Sequence, residues 1–223
     1  MKTSDSKSKD TKGIRTKENI LKAARKIFSE HPYHAASMRM IGKEAGIEHP
    51  LINYYFPNKA ELFEEIILRI TDEFILAMGE WLDGIKTLRI SDGFMKYIDL
   101  LMNYNQQNPE PLRILALNIT QSDDISRIPG YQHFPELMER IRQLFENKLS
   151  PRGSVQEIRM FIHSFNFLII TLLGSSTYAA QVQGMDPAGD QYRTWVKDTL
   201  GFLFLPRLRE IINPSDAGTR RKK

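Results

Sequence analysis

Ser37-Met-Arg-Met-Ile-Gly-Lys-Glu-Ala-Gly-Ile-Glu-His-Pro-Leu-Ile-Asn-Tyr-Tyr-Phe-Pro-Asn-Lys59 is the stretch whose reading decides the fold of this 223-residue chain. Ser37 is a good helix N-cap, because its hydroxyl can accept from an orphan backbone N–H of the first turn. Met38, Ile41 and Ala45 then recur at helical spacing and form one apolar stripe. Gly46 follows where the chain must turn sharply, and glycine alone takes a positive φ without penalty. A second short helix is predicted from about His49 to Tyr55. Pro50 fits in its first turn, where a missing N–H removes no intrahelical bond. Pro57 stops it. A helix, a glycine turn and a helix within about 20 residues form the helix-turn-helix pattern. In that pattern the first helix braces, and the second enters the major groove of DNA.

Outward from this stretch the chain reads as helix after helix. Upstream, Ile20, Ala24, Ile27 and Phe28 recur at three- and four-residue spacing, with Thr16 as N-cap and Pro32 as terminator. Residues 1–15 are rich in Lys, Ser, Asp and Thr, and a disordered basic arm is expected over 1–14. Downstream, Asn58 caps a further helix with the stripe Leu62, Ile66, Ile70 and Phe74. Helices are then predicted over 58–88, 92–106, 110–121, 134–149, 154–182 and 187–211. Breaks fall at Asn108-Pro109, Pro129-Gly130, Pro151-Arg-Gly153 and Gly184-Met-Asp-Pro187. Pro206 is expected to kink or end the last helix. No segment alternates as a strand does, so the chain is read as all-α. Its expected organisation is a DNA-binding domain over 15–62, a larger helical domain over 63–212, and a mobile basic tail over 213–223.

Composition narrows the function classes. Apolar residues make up 41% of the chain, enough for a core. There is no cysteine, which excludes disulfides and thiolate metal sites and suits a cytoplasmic location. Residues 1–70 hold 13 Lys/Arg against 9 Asp/Glu, whereas 71–223 hold 18 of each. The formal excess of +4 therefore sits in the first third and points to a polyanionic partner. The N-terminus has charge but no apolar h-region, so it does not read as a secretory signal. Residues 160–185 carry no Lys, Arg, Asp or Glu. His163, Asn166, Thr171, Gln181 and Gln183 make them too polar for lipid on all sides, so a helix buried by protein is expected and no membrane partner. The histidines (His31, His34, His49, His133 and His163) show no HExxH or paired-ligand spacing. No Gly-rich phosphate loop or nucleophile elbow is present, so neither a metal, a cofactor nor catalysis is expected.

In the second short helix, Leu51, Ile52 and Phe56 can face the module's core. That leaves Glu48, His49, Asn53 and Tyr54 for solvent or DNA. The segments Ser37–Ile47, Leu51–Lys59 and Glu61-Leu-Phe63, with Ile20-Leu-Lys-Ala-Ala24 and Ile27-Phe28 upstream, resemble the N-terminal module of the TetR family of regulators. The resemblance covers about residues 15–70, roughly a quarter of the chain. Three positions depart from the family pattern. Pro32 stands where Gly is usual after the first helix, Glu48 where Ser or Thr caps the recognition helix, and Asn53 where Tyr is common.

The resemblance implies a DNA-facing set of Arg39, Glu48, His49, Pro50, Asn53, Tyr54, Tyr55 and Lys59. Lys59 is expected against the DNA backbone, at a helix N-terminus that attracts phosphate. Asn53 can pair bidentately with adenine, Glu48 can accept from cytosine N4, and His49 can reach a base or a phosphate. Tyr54 is expected outward and Tyr55 partly in the core. Arg39 is a backbone-contact candidate, and Lys12, Arg15 and Lys17 can follow phosphates or enter a minor groove.

For the larger domain, the spacing of Val155, Ile158, Ile162, Phe165, Ile169 and Leu172 is that of a heptad-like seam. With Trp195, Thr199 and Leu203 of the last helix, the resemblance makes this seam a four-helix homodimer interface. The dimer would bind a palindromic operator on double-stranded DNA. The middle helices would enclose a small-molecule effector pocket among Tyr97, Leu101, Tyr104, Ile114, Leu117, Asn118, Phe134, His163 and Asn166. The abundance of Phe, Tyr and Met points to an apolar or aromatic effector. The expected function is a repressor released from its operator by that effector. The alternative is an activator or effector-independent DNA-binding protein of the same fold.

Overall fold

The computed structural model describes residues 4–121 and 124–212. Helix α1 spans Ser4–Glu30, α2 Met38–Ala45, α3 His49–Tyr55 and α4 Lys59–Ile85. Then follow α5 (Ile90–Gln107), α6 (Glu110–Asn118), α7 (Phe134–Leu149), α8 (Val155–Ile169), α9 (Ser176–Val182) and α10 (Asp190–Ile212). Two short 3-10 turns, Ile125–Arg127 and Tyr131–His133, lie between α6 and α7, and a π turn, Ile170–Gly174, follows α8. Among the described residues there is no strand, so the chain is all-α as its periodicity predicts.

Packing divides the chain into two compact units. The first contains the described residues through Ile70 together with Leu117–Gln132; the second contains Thr71–Ala116 and the described residues from His133. The expected boundary near residue 62 is therefore not where packing divides the chain. Nor is the small module one continuous segment.

In the first unit, Ile20, Ala24 and Phe28 of α1, Ile41 of α2, Ile52 of α3, and Leu62 and Phe63 of α4 are fully buried. Phe28 and Phe63 meet edge to face at 4.7 Å, and Tyr33 and Tyr131 extend that aromatic cluster across Phe63. Such ring pairs contribute about 0.5–1.5 kcal/mol each beyond area burial. Gly130 has a φ of +82°, and a Cβ there would lie 2.8 Å from the Cβ of Ile67. The turn that brings residues 117–132 onto α4 thus requires glycine on both counts.

Helix α1 begins at Ser4 rather than Thr16, and this corrects the expectation of a disordered arm for residues 4–14; residues 1–3 lie outside those described. The physical reason is cooperativity: once residues 16–30 are held by the core, each added turn needs only propagation and not a new nucleus. No proline interrupts residues 4–15. The expected basic tail over 213–223 lies outside the described residues.

In the second unit, one core joins α4 (Met78, Leu82), α5 (Tyr97, Ile98, Leu101), α7 (Ile141, Phe145), α8 (Phe161, Ile162, Phe165) and α10 (Val196, Leu200, Phe204). A capping box starts α8: Ser154 Oγ accepts from Glu157 N, and the Glu157 carboxylate accepts from Ser154 N at 2.9 Å. Tyr192 donates to Leu172 O at 2.6 Å, which satisfies its hydroxyl inside the core. Helix α10 runs through Pro206, so of the two expectations for that proline, a kink or an end, the helix does not end there, and its span agrees with the predicted 187–211. Buried Leu208 and Ile211 hold it to Ile212.

Candidate nucleic-acid interface

The α2–α3 pair is built as its sequence predicts. Ser37 Oγ accepts from Met40 N at 3.3 Å and caps α2. Gly46 ends α2 at φ +66°, ψ +34°, and its N–H reaches the carbonyls of Gly42 and Lys43. Glu48 precedes α3 with extended dihedrals and makes no side-chain cap bond, and Pro50 sits in the first turn. Helix α3 is thus a short element fixed by the turn before it and by Ile52 and Phe56, both buried beneath it. Leu51, expected in the core, is 45% exposed.

The outer face of α3 carries Glu48, Pro50, Asn53 and Tyr54, all exposed. Tyr54 is 80% exposed and meets the half-buried Tyr55 ring edge to face at 5.1 Å. Arg39, Lys43 and Glu48 border a shallow surface depression beside the Gly46 turn. Two cations and one carboxylate therefore share one surface region next to the start of α3. The side chain of His49 lies outside what is described.

Lys59 departs from the sequence reading. Its ammonium donates to Tyr33 O at 2.7 Å and to Ala36 O at 2.9 Å, and sits 4.3 Å from the centroid of the Tyr33 ring. Two of its three N–H bonds thus close the turn between α1 and α2, and desolvation lowers its pKa. Asn58 caps α4 as expected, accepting from Glu61 N at 2.9 Å and donating to Glu61 Oε1 at 2.7 Å. Lys17, expected on the DNA, lies 5.3 Å from the centroid of the Phe56 ring and 3.8 Å from Glu65.

One residue that sequence reasoning assigned elsewhere belongs to this module. Asn118 was expected in an effector pocket. It is 1% exposed, and its Oδ1 accepts from Tyr33 N at 2.7 Å. Asn118 and Lys59 therefore hold the same turn from two sides, through the N–H and the carbonyl of Tyr33. Nothing local signals this partnership, since 85 residues separate the two. Asn19 and Lys26 tie α1 to α2, through Ala45 O at 2.9 Å and Glu44 at 2.7 Å.

The remaining candidates fall in the second unit, Leu117 excepted. Tyr97 and Asn166 border a cavity of about 200 Å³. Leu101 is buried core, Tyr104 packs on Trp81 at 5.4 Å, and Phe134 and His163 are half-buried; none of these four borders the cavity. Ile114 is fully buried. Leu117 lies in the first unit.

The expected dimer seam on α8 is corrected: Ile158, Ile162, Phe165, Ile169 and Leu172 are all buried within their own chain. The helix is apolar on several faces, and the periodicity alone does not say which face the chain itself covers. The exposed stripe is Met160, Ser164, Phe167 and Thr171, with Tyr178 and Val182 beyond it on α9. On α10, Trp195 and Thr199 are half-buried and Leu203 is exposed. The neighbouring Phe202, absent from the sequence reading, is 81% exposed.

Residues 20–66 match the family model for bacterial regulatory proteins of the tetR family. The HTH-type transcriptional regulator UidR of Escherichia coli K12 is 37% identical over 70 residues, which is 31% of this chain and 36% of that protein. The chain thus matches about a third of the length of that curated relative. Among solved structures, a TetR-family regulator from Mesorhizobium loti superimposes with a TM-score of 0.61 at 17% identity, covering 87% of this chain and 96% of that one. The regulator FadR from Bacillus subtilis, in complex with stearoyl-CoA, gives 0.60 at 18% identity, covering 88% and 97%. At these identities the likeness is one of fold.

Proposed function

We propose that this chain, whose residues 20–66 match the DNA-binding module of the TetR family, is a homodimeric repressor that a small-molecule effector releases from a palindromic operator. The observation that carries this reading is the outer face of α3. Ile52 is fully buried and fixes the helix, while Tyr54 stands 80% exposed on it with Asn53, and Arg39 and Lys43 of α2 are exposed as well. A rigid short helix with its hydrogen-bonding side chains turned outward suits a major groove. Two such helices on a symmetric dimer fit half-sites about 34–36 Å apart.

Phe167 on α8 and Phe202 and Leu203 on α10 support the dimer, since exposed apolar stripes on two long helices suit association. Effector release would act through α4, whose residues contribute to both units, by altering the spacing of the two recognition helices. The experiment is selection by the purified protein from a pool of random-sequence duplexes. Enrichment of a palindrome, bound by two chains, supports the reading. A pool that stays random while binding remains steeply salt-dependent reduces it to non-specific binding.

A further inference from the structure

We propose that the cavity of the second unit binds a medium-chain carboxylate, held by an apolar floor and a cationic rim. This rests on the regulator reading for its role, but not for its existence as a binding site. The floor is formed by buried Phe94, Phe145, Phe161 and Phe165. The rim holds Lys86, Arg89 and Lys148, and among the described residues no acidic side chain lines the cavity. Side-chain exposure falls from 87% at Arg89 through 51% at Lys86 to 31% at Lys148, so Lys148 is the least solvated of the three cations.

The chemistry of such a wall selects its ligand. An alkyl tail gains burial against the phenylalanines, and a carboxylate accepts charge-assisted hydrogen bonds at the rim. Size limits the tail: a cavity of about 150 Å³ accommodates the six carbons of benzene, so about 200 Å³ takes about eight non-hydrogen atoms, enough for a medium-length tail with its head at the rim. Tyr97, on the cavity wall, keeps a neutral hydroxyl because burial raises its pKa well above the ordinary value.

Two carboxylates border this arrangement from outside the lining. Asp83 pairs with Lys148 at 2.6 Å and with Lys86 at 3.0 Å, and Asp92 pairs with Arg89 at 2.7 Å. Asp83 therefore competes with a ligand for both lysines. Its removal should strengthen binding, which a merely apolar site would not show.

Calorimetric titration of the full chain without DNA tests the site apart from any operator. Octanoate, 1-octanol and octylammonium share a tail and differ in head charge. The expected result is one octanoate per chain, bound at least about tenfold tighter than octanol, with octylammonium weakest. Lys148→Gln should bring the octanoate-to-octanol ratio down to about threefold or less, Lys148→Arg should preserve it, and Asp83→Asn should widen it. Equal binding of octanoate and octanol to the unaltered protein would overturn the proposal, as would no binding of either. A ratio indifferent to both Lys148→Gln and Asp83→Asn would do the same. Binding of octanoate without any change in operator affinity would uphold the site and count instead against effector release.

Discussion

Tyr33 is held through its N–H by Asn118 and through its carbonyl by Lys59. Each partner makes a distinct prediction. Asn118→Ala leaves a backbone donor unsatisfied, which costs about 1–3 kcal/mol. Denaturant unfolding should show a loss of that size. Stability unchanged within about 0.5 kcal/mol would mean that the turn finds another acceptor. Lys59→Met removes a donor shared by two carbonyls and should lower stability by about 1–2 kcal/mol, the partial exposure of the site moderating the loss. Its effect on the salt dependence of DNA binding should be small. Arg39→Ala should do the opposite: stability is kept, and the slope of log affinity against log salt falls by about one phosphate contact. A slope reduced by Lys59→Met and unmoved by Arg39→Ala would reverse the two roles.

At the scale of elements, what was legible depended on the range of the forces. The Ser37 cap, the Gly46 turn and the Asn58 cap are local chemistry, and the sequence shows them directly. The start of α1 was missed because the residues before Thr16 lack apolar periodicity, while propagation from a packed helix does not need it. The place of Asn118 was missed because its partner lies 85 residues away. The α8 face was misassigned for a third reason: Ile158, Ile162 and Phe165 share a seam, and so do Met160, Ser164 and Phe167. Both stripes have helical spacing, and only packing shows that the first is internal. The exposed stripes yield the test of association. Phe202→Lys places a charge on an 81% exposed apolar position, so the monomer should fold normally and the dimer should fail. Sedimentation at micromolar concentration should find a monomer with an unchanged thermal melt. A dimer of undiminished affinity would move the interface off α10.

At the scale of the whole molecule, one unit is built to present α3 and the other encloses an apolar cavity with cations at its rim. The family resemblance was legible from residues 15–70, and the matched span of 20–66 falls within it. Base preference was not, because Glu48 and Asn53 replace the residues usual at those positions and α3 makes no side-chain cap. The central claim is that the outer face of α3 reads DNA. Its most direct test is the affinity of the unaltered protein, Asn53→Ala and Tyr54→Ala for a selected palindrome and a scrambled duplex, at two salt concentrations. Each variant should melt as the parent does, lose at least about tenfold preference for the palindrome, and retain salt-dependent binding to scrambled DNA. Variants that keep the full preference for the palindrome would contradict the claim.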